Sequence, residues 1–241
     1  MSLWVVLLAG GRGERLRREV NKVYLPIAGR EMLEYSLDTF RRSEIVDGLV
    51  VVVRPDDTEH LFELLAGTAP PVRIVEGGPT RHQSERLGLE ALSGDVNRGE
   101  VEWIGIHDGA RPFITLDLFR AVVEEAHHQG GAVPALASSG PLYQRQEDAV
   151  ELLDTRALRR AQTPQVFRAR ELLEGYRRAD EAGFEGVDTA ETVERFTDLR
   201  VGLVPGDPRN IKITFVEDVL EAEDLAAGFR AGRWVERDAG W

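Results

Sequence analysis

The chain has 241 residues, 42% of them hydrophobic, and a formal net charge of −12. That length can bury one full core, whereas the acidic balance argues against broad nucleic-acid or anionic-membrane binding, both of which need basic faces. Without cysteine there is no disulfide framework, thiol nucleophile or thiolate-bound metal. The apolar run at the N-terminus lacks the basic flank and the length of a signal peptide or membrane span, so a cytoplasmic protein is expected.

The first predicted strand, Leu3–Leu8, breaks directly into Ala9-Gly10-Gly11-Arg12-Gly13-Glu14-Arg15-Leu16. Glycines at that point let the backbone approach a ligand closely. Arg12, Arg15, Arg17, Arg18 and Lys22 outnumber Glu14 and Glu19, so the stretch is cationic within an acidic protein. It reads as a polyphosphate cradle whose N–H groups face the phosphates. Taken alone, it also fits a glycine turn followed by a solvated charged loop. Leu16 stands where a dinucleotide fingerprint needs its third glycine, and no Gly-Lys-hydroxyl sequence of a P-loop occurs.

Apolar strands then alternate with helical patterns, the signature of an α/β sheet covered by helices on both faces. A helix is marked by Met32, Leu33, Leu37 and Phe40, a buried parallel strand by 49–53, a short helix by Leu61, Leu64 and Leu65, and a strand by 72–75. Glu76-Gly77-Gly78 makes a second glycine loop before a helix over 84–92, where Arg81, Ser84 and free N–H groups suit the edge of a base. Ordinary N-terminal capping accounts for the same residues.

The strand 103–106 leads into His107-Asp108-Gly109-Ala110-Arg111-Pro112, at the end where open α/β sheets bind ligands. Asp108 there suits Mg²⁺, which takes few protein ligands and several phosphate oxygens; a turn cap paired with Arg111 is the other reading. His107 reads as packing, and His127-His128 as surface. Thr115 caps a helix that ends at Gly130-Gly131, and 132–137 is a strand. From 138 to 154 the pattern weakens into an arm that leaves the sheet. Gln162-Thr163-Pro164-Gln165 re-enters; helices near 169–182 and 190–196, strands at 200–204 and 210–214, and a helix over 220–225 follow. The chain is thus read as a single domain over 1–230, with an excursion about 138–160 and a tail over 231–241.

Of the 30 lysines and arginines, only Lys22 and Lys212 are lysine. A compact ammonium suits a phosphate, which singles both out, although chance leaves two lysines as well. In the last strand, Lys212 would face opposite to Ile211 and Ile213 and so meet an anion in the crevice.

Five blocks in order, namely the 9–16 loop with Lys22, 77–84, 107–112, 162–165 and 210–214, make the chain resemble the 2-C-methyl-D-erythritol 4-phosphate cytidylyltransferase family of non-mevalonate isoprene biosynthesis. The resemblance implies a Rossmann-like nucleotidyltransferase fold with a mostly parallel central sheet and a protruding dimerisation arm. It implies Mg²⁺-dependent transfer of CMP from CTP to a polyol phosphate, with release of pyrophosphate, by a homodimer with exchanged arms. Carried over residue by residue, it makes Arg15 and Lys22 catalytic and puts CTP on Ala9, Gly10, Gly11, Arg12, Gly13, Gly78, Arg81, Ser84 and Asp108. The metal falls on Asp108, and the acceptor on Ser138, Arg156, Thr163 and Lys212.

The departures lie on the acceptor side: Ala137-Ser138-Ser139-Gly140 replaces Asp-Thr-x-Lys, Val187-Asp188 replaces Thr-Asp, and the arm arginine is displaced to Arg156, beside Thr155. A pentitol phosphate is therefore the alternative acceptor. A nucleotide-binding regulator without catalysis is the alternative class, against which the joint presence of Arg15, Lys22 and Asp108 argues.

Overall fold

Uninterrupted apolar runs become the centre of a twisted sheet. The structure, a computed structural model, describes residues 1–11, 21–65, 70–138, 140–145 and 149–230. β1 (Leu3–Leu8) is followed by a two-residue ladder, β2 (Pro26–Ile27) with β3 (Arg30–Glu31), and by α1 (Met32–Arg41), β4 (Gly48–Val53), α2 (Thr58–Leu65) and β5 (Val72–Glu76). Next come α3 (Arg81–Glu90), α4 (Ser93–Arg98), β6 (Trp103–Asp108), α5 (Leu116–Gln129) and β7 (Gly130–Ala137). The chain continues as β8 (Leu142–Arg145), β9 (Val150–Leu153), β10 (Arg159–Ala161) and β11 (Gln165–Arg168), and finally α6 (Ala169–Glu181), α7 (Thr189–Phe196), β12 (Arg200–Pro205) and α8 (Val216–Arg230).

β5, β4, β1 and β6 run parallel, β11 enters antiparallel between β6 and β7, and β12 pairs parallel with β7. Strands buried on both faces need no polar alternation, and every residue of β4 and β6 is buried. Side chains alternate across the sheet. Val5 and Leu7 therefore join Leu37 and Phe40 of α1 and Phe119 and Val122 of α5 on one face. Trp4 and Val6 join Leu89 of α3 and Leu172 and Tyr176 of α6 on the other. Each such aliphatic side chain contributes about 2 kcal/mol on burial.

Local signals set the helix ends. The Thr115 hydroxyl accepts from the Leu118 N–H at 3.2 Å, and Gly130 closes α5 at φ +103°, a conformation that strains any side chain. Thr80 caps α3 in the same way, accepting from the Gln83 N–H.

Between β7 and β10 the chain leaves the sheet as the antiparallel β8–β9 hairpin, with Tyr143, Val150 and Leu152 exposed. The predicted strand over 210–214 does not form. Side chains, and not a neighbouring strand, pair with this backbone: the Asn210 carbonyl accepts from Arg111 Nη1 at 2.8 Å and from Gln162 Nε2 at 3.1 Å, and the Asp218 carboxylate accepts from the Thr214 N–H. A backbone bond, Ile213 N–H to the Ala110 carbonyl, ties it to the end of β6. Ile213 is nonetheless buried, in a third cluster with Met32, Tyr35, Phe113 and Ala222 of α8, so Lys212 faces the other way as alternation predicts.

Candidate active site

β1 pairs with β4 on one side and β6 on the other, so Leu8 lies beside both Val52 and Asp108, and the loops after these strands open at one edge. There a pocket of about 840 Å³ is walled by Gly10 and Gly11, Lys22, Arg54, Gly78, Arg81, Ser84, Asp108 and Lys212.

Lys22 begins a single 3-10 turn, Lys22–Tyr24, whose cap is Asn21. Asn21 is fully buried, and its Nδ2 donates to the Ala9 carbonyl at 2.6 Å and to Asp57 Oδ2 at 2.7 Å. The cap thereby anchors the lysine to both β1 and the segment after β4. Lys22 Nζ donates to the Ile213 carbonyl at 3.0 Å. Ala9 itself lies behind the wall, buried, with its N–H spent on the Val52 carbonyl at 2.7 Å, so it offers no donor to a ligand.

The second glycine loop is pressed onto α3. A Cβ at Gly78 would sit 2.6 Å from that of Gln83, closer than real atoms approach. The Ser84 hydroxyl donates to the Gly78 carbonyl at 3.2 Å, which fixes the loop and leaves the oxygen's lone pairs for a ligand.

Asp108 forms the floor. Lys212 Nζ lies 2.7 Å from Oδ2, Arg81 Nη2 3.3 Å from Oδ1, and Arg111 Nε 3.9 Å from Oδ2. Burial alone would raise this carboxyl, but the charges of Arg81, Lys212 and Arg111 together hold it well below the usual carboxylate range. It is therefore an ionised carboxylate facing the cavity. Among the described residues no group of three or more histidines and carboxylates is placed to hold a metal ion. The donor set fits Mg²⁺ as a partner of one carboxylate and several phosphate oxygens, and does not fit a metal held by protein alone.

His107 lies beneath the pocket, fully buried, with Nδ1 3.1 Å from the Thr163 hydroxyl and Nε2 3.0 Å from the Arg111 carbonyl. Burial pushes its pKa down to about 4. The unfolded chain then protonates near the ordinary 6.5 while the folded one stays neutral, so stability is complete above that pH and falls as pH drops toward 4. The expected loss is about 3 kcal/mol. Urea unfolding from pH 7 to pH 4 in a chelating buffer checks this: His107→Gln should flatten the dependence, and an unchanged slope would assign it to other groups.

The family model described as 2-C-methyl-D-erythritol 4-phosphate cytidylyltransferase (IspD) matches residues 3–227. The chain belongs to this family. Enzymes of that name from Caldanaerobacter subterraneus subsp. tengcongensis and Geobacter metallireducens are 35% and 36% identical, over 92% of this chain and 98% and 97% of theirs. The crystal structure of the cytidylyltransferase from Thermus thermophilus superposes with a TM-score of 0.72 at 31% identity, covering 92% of this chain and 98% of that one. The Anaerococcus prevotii 4-diphosphocytidyl-2C-methyl-D-erythritol synthase structure gives 0.84 at 27% identity, covering 94% and 96%. The fold is accordingly the family's Rossmann-like nucleotidyltransferase fold.

Of the cytidylyltransferase residues expected from sequence, the structure gathers Gly10, Gly11, Lys22, Gly78, Arg81, Ser84, Asp108 and Lys212 around one cavity. Arg12, Gly13 and Arg15 lie outside the described residues. Of the acceptor set, Lys212 alone is gathered there. The Thr163 hydroxyl is buried against the Asp108 N–H at 3.1 Å and His107, so it shapes the floor from behind. Ser138 ends β7, its N–H on the Leu158 carbonyl, and Arg156 sits on the arm, 90% exposed and paired with Asp154. Sequence reasoning missed Arg54, which reaches the wall from the end of β4 and is held by Asp57 at 3.0 Å through both Nε and Nη2. An arginine directly after an all-apolar strand, before Pro55-Asp56-Asp57, was the signal available.

Proposed function

We propose that the protein transfers CMP from CTP to 2-C-methyl-D-erythritol 4-phosphate, giving 4-diphosphocytidyl-2-C-methyl-D-erythritol and pyrophosphate. The observation that carries this reading is the convergence of Lys22, Arg81 and Lys212 with one ionised carboxylate, Asp108, on a single pocket in a member of this family. The triphosphate is assigned to Gly10 and Gly11, with Arg12 and Arg15 assigned to it by the family resemblance alone, and the base to Gly78, Arg81 and Ser84. An oxygen of the acceptor's phosphate attacks the α-phosphorus and forms the diphosphate bridge, while the bond from that phosphorus to the oxygen shared with the β-phosphate breaks and releases pyrophosphate. Such a transfer needs cations and alignment more than a general base. Lys22, with Arg15, opposes the charge that grows on the α-phosphoryl oxygens and the leaving pyrophosphate. Asp108 would hold Mg²⁺, which when bound screens the phosphate oxygens from one another.

Lys212 is assigned to the acceptor phosphate. Its present partner is Asp108, at 2.7 Å, and a divalent cation on that carboxylate would compete with the ammonium and leave it for phosphate. We further propose a homodimer in which the exposed apolar β8–β9 hairpin docks on a second copy and carries Arg156 to that copy's acceptor. The cytoplasm, which holds the nucleoside triphosphate pool, is the proposed location.

A pyrophosphate-release assay with CTP and a panel of polyol phosphates tests the reaction; 2-C-methyl-D-erythritol 4-phosphate should give the highest kcat/KM, and a pentitol phosphate in its place would reassign the acceptor. Lys212→Ala should raise the acceptor KM about tenfold or more with that for CTP nearly unchanged, because a phosphate counter-charge acts in ground and transition states alike. Arg156→Ala should do the same more mildly. Mixing the two variants restores one complete site in each mixed dimer, so activity should partly recover. No recovery, with mixed dimers confirmed by native mass measurement, would place each acceptor site within one chain.

A further inference from the structure

Glu85 lies one turn into α3 with no exposed surface, and nothing in the proposed reaction uses it. Burial pushes its carboxyl pKa up, so a carboxylate at this depth requires dedicated partners. It has them from three elements. The Tyr176 hydroxyl of α6 donates to Oε2, the Thr189 hydroxyl of α7 donates to Oε1 at 2.8 Å, and Arg81 Nη1 lies 2.7 Å from Oε1.

Arg81 is the link to the cavity. It lines the pocket, which Glu85 does not reach, and from the same guanidinium contacts Asp108 at 3.3 Å and the Val187 carbonyl at 3.5 Å. Of the two carboxylates, Glu85 is the closer. When Asp108 engages a metal or gives up its cations to phosphate, Glu85 is the counter-charge that stays, set by hydroxyls that cannot follow the ligand.

We propose that Glu85 is a positioning residue of the nucleotide pocket: its buried carboxylate keeps the Arg81 guanidinium on the pocket wall while Asp108 changes partners. The inference rests on the reading of this pocket as a CTP site. An i,i+4 pair on an exposed helix is worth little. This one is closed over by α6 and α7, so its geometry is inherited by whatever Arg81 touches.

Glu85→Gln keeps the shape and removes the charge. The expected result is a rise of about tenfold in the Kd and KM for CTP, with kcat at saturation and the acceptor KM little changed. Arg81→Gln should raise the CTP values by at least as much, and the double variant should be no worse than Arg81→Gln alone, since Glu85 acts through Arg81. A role confined to folding would lower the melting temperature without that split or that non-additivity. Unchanged CTP affinity in folded Glu85→Gln, or an undiminished effect in the Arg81→Gln background, would overturn the proposal. Should Glu85→Gln fail to fold, Thr189→Val removes one hydroxyl without changing charge; it should weaken CTP binding about threefold, and native affinity would overturn the proposal equally. Wild-type protein that fails to bind CTP would remove both this inference and the reading beneath it, whereas wild-type turnover with a silent Glu85→Gln removes this inference alone.

Discussion

Lys22→Ala is expected to lower kcat about a hundredfold, close to 3 kcal/mol of transition-state stabilisation, while the Kd for CTP changes only a fewfold. The reason is in how the lysine is held. Its turn is fixed through Asn21 to the Ala9 carbonyl and to Asp57, so the ammonium is pre-placed and needs no rearrangement when charge develops. A group positioned in this way acts on the difference between ground and transition states, which moves kcat and not binding alone. The family resemblance implies the same part for Arg15, and Arg15→Ala should behave alike. Steady-state kinetics together with calorimetric CTP binding separates the outcomes: equal losses in affinity and in turnover would show a static phosphate clamp.

Asp108→Asn should have the other large effect, and on two quantities at once. Its carboxylate lies among Lys212, Arg81 and Arg111, and removing its charge leaves these cations facing one another at a site where Asp108 is 7% exposed. Loss of one partner from a buried pair costs roughly 3 kcal/mol of stability. Turnover should fall by on the order of a hundredfold or more, because on the proposed reading this carboxylate is the one that would hold a divalent cation. Urea unfolding reads the first effect, and a Mg²⁺ titration of activity the second. A variant that is destabilised but keeps its turnover and metal requirement would make Asp108 an electrostatic floor and no ligand.

Much of this site could be read from the sequence because its parts follow from local chemistry. Apolar runs without alternation marked β4 and the bulk of β6, and the glycine clusters behind β1 and β5 marked where the strands end at the pocket. The scarcity of lysine pointed to Lys22 and Lys212, and both reach the pocket. What local pattern does not carry is which polar groups satisfy one another. Alternation over 210–214 suggested a strand; the side chains of Arg111, Gln162 and Asp218 took its backbone bonds instead. Arg81 and Glu85, four residues apart, look in sequence like an ordinary solvated helix pair, and only the docking of Tyr176 and Thr189 from chain nearly a hundred residues later buries the carboxylate. Thr163, Ser138 and Arg156 are set by tertiary placement in the same way: the first lies under the floor, the others away from the cavity. No spacing rule in a single chain reports such a displacement.

The segment over 210–214 closes the pocket late along the chain. Lys22 reaches the Ile213 carbonyl across 191 residues, Arg111 reaches the Asn210 carbonyl across 99, and Lys212 supplies the charge facing Asp108. Domains emerge from the ribosome N-terminus first. A nascent chain released as far as α7 already holds the central strands, the first glycine loop and Asp108, but it lacks Lys212 and the carbonyl on which Lys22 leans. A complete pocket therefore awaits the synthesis of residues 210–214, well after its other described walls have emerged.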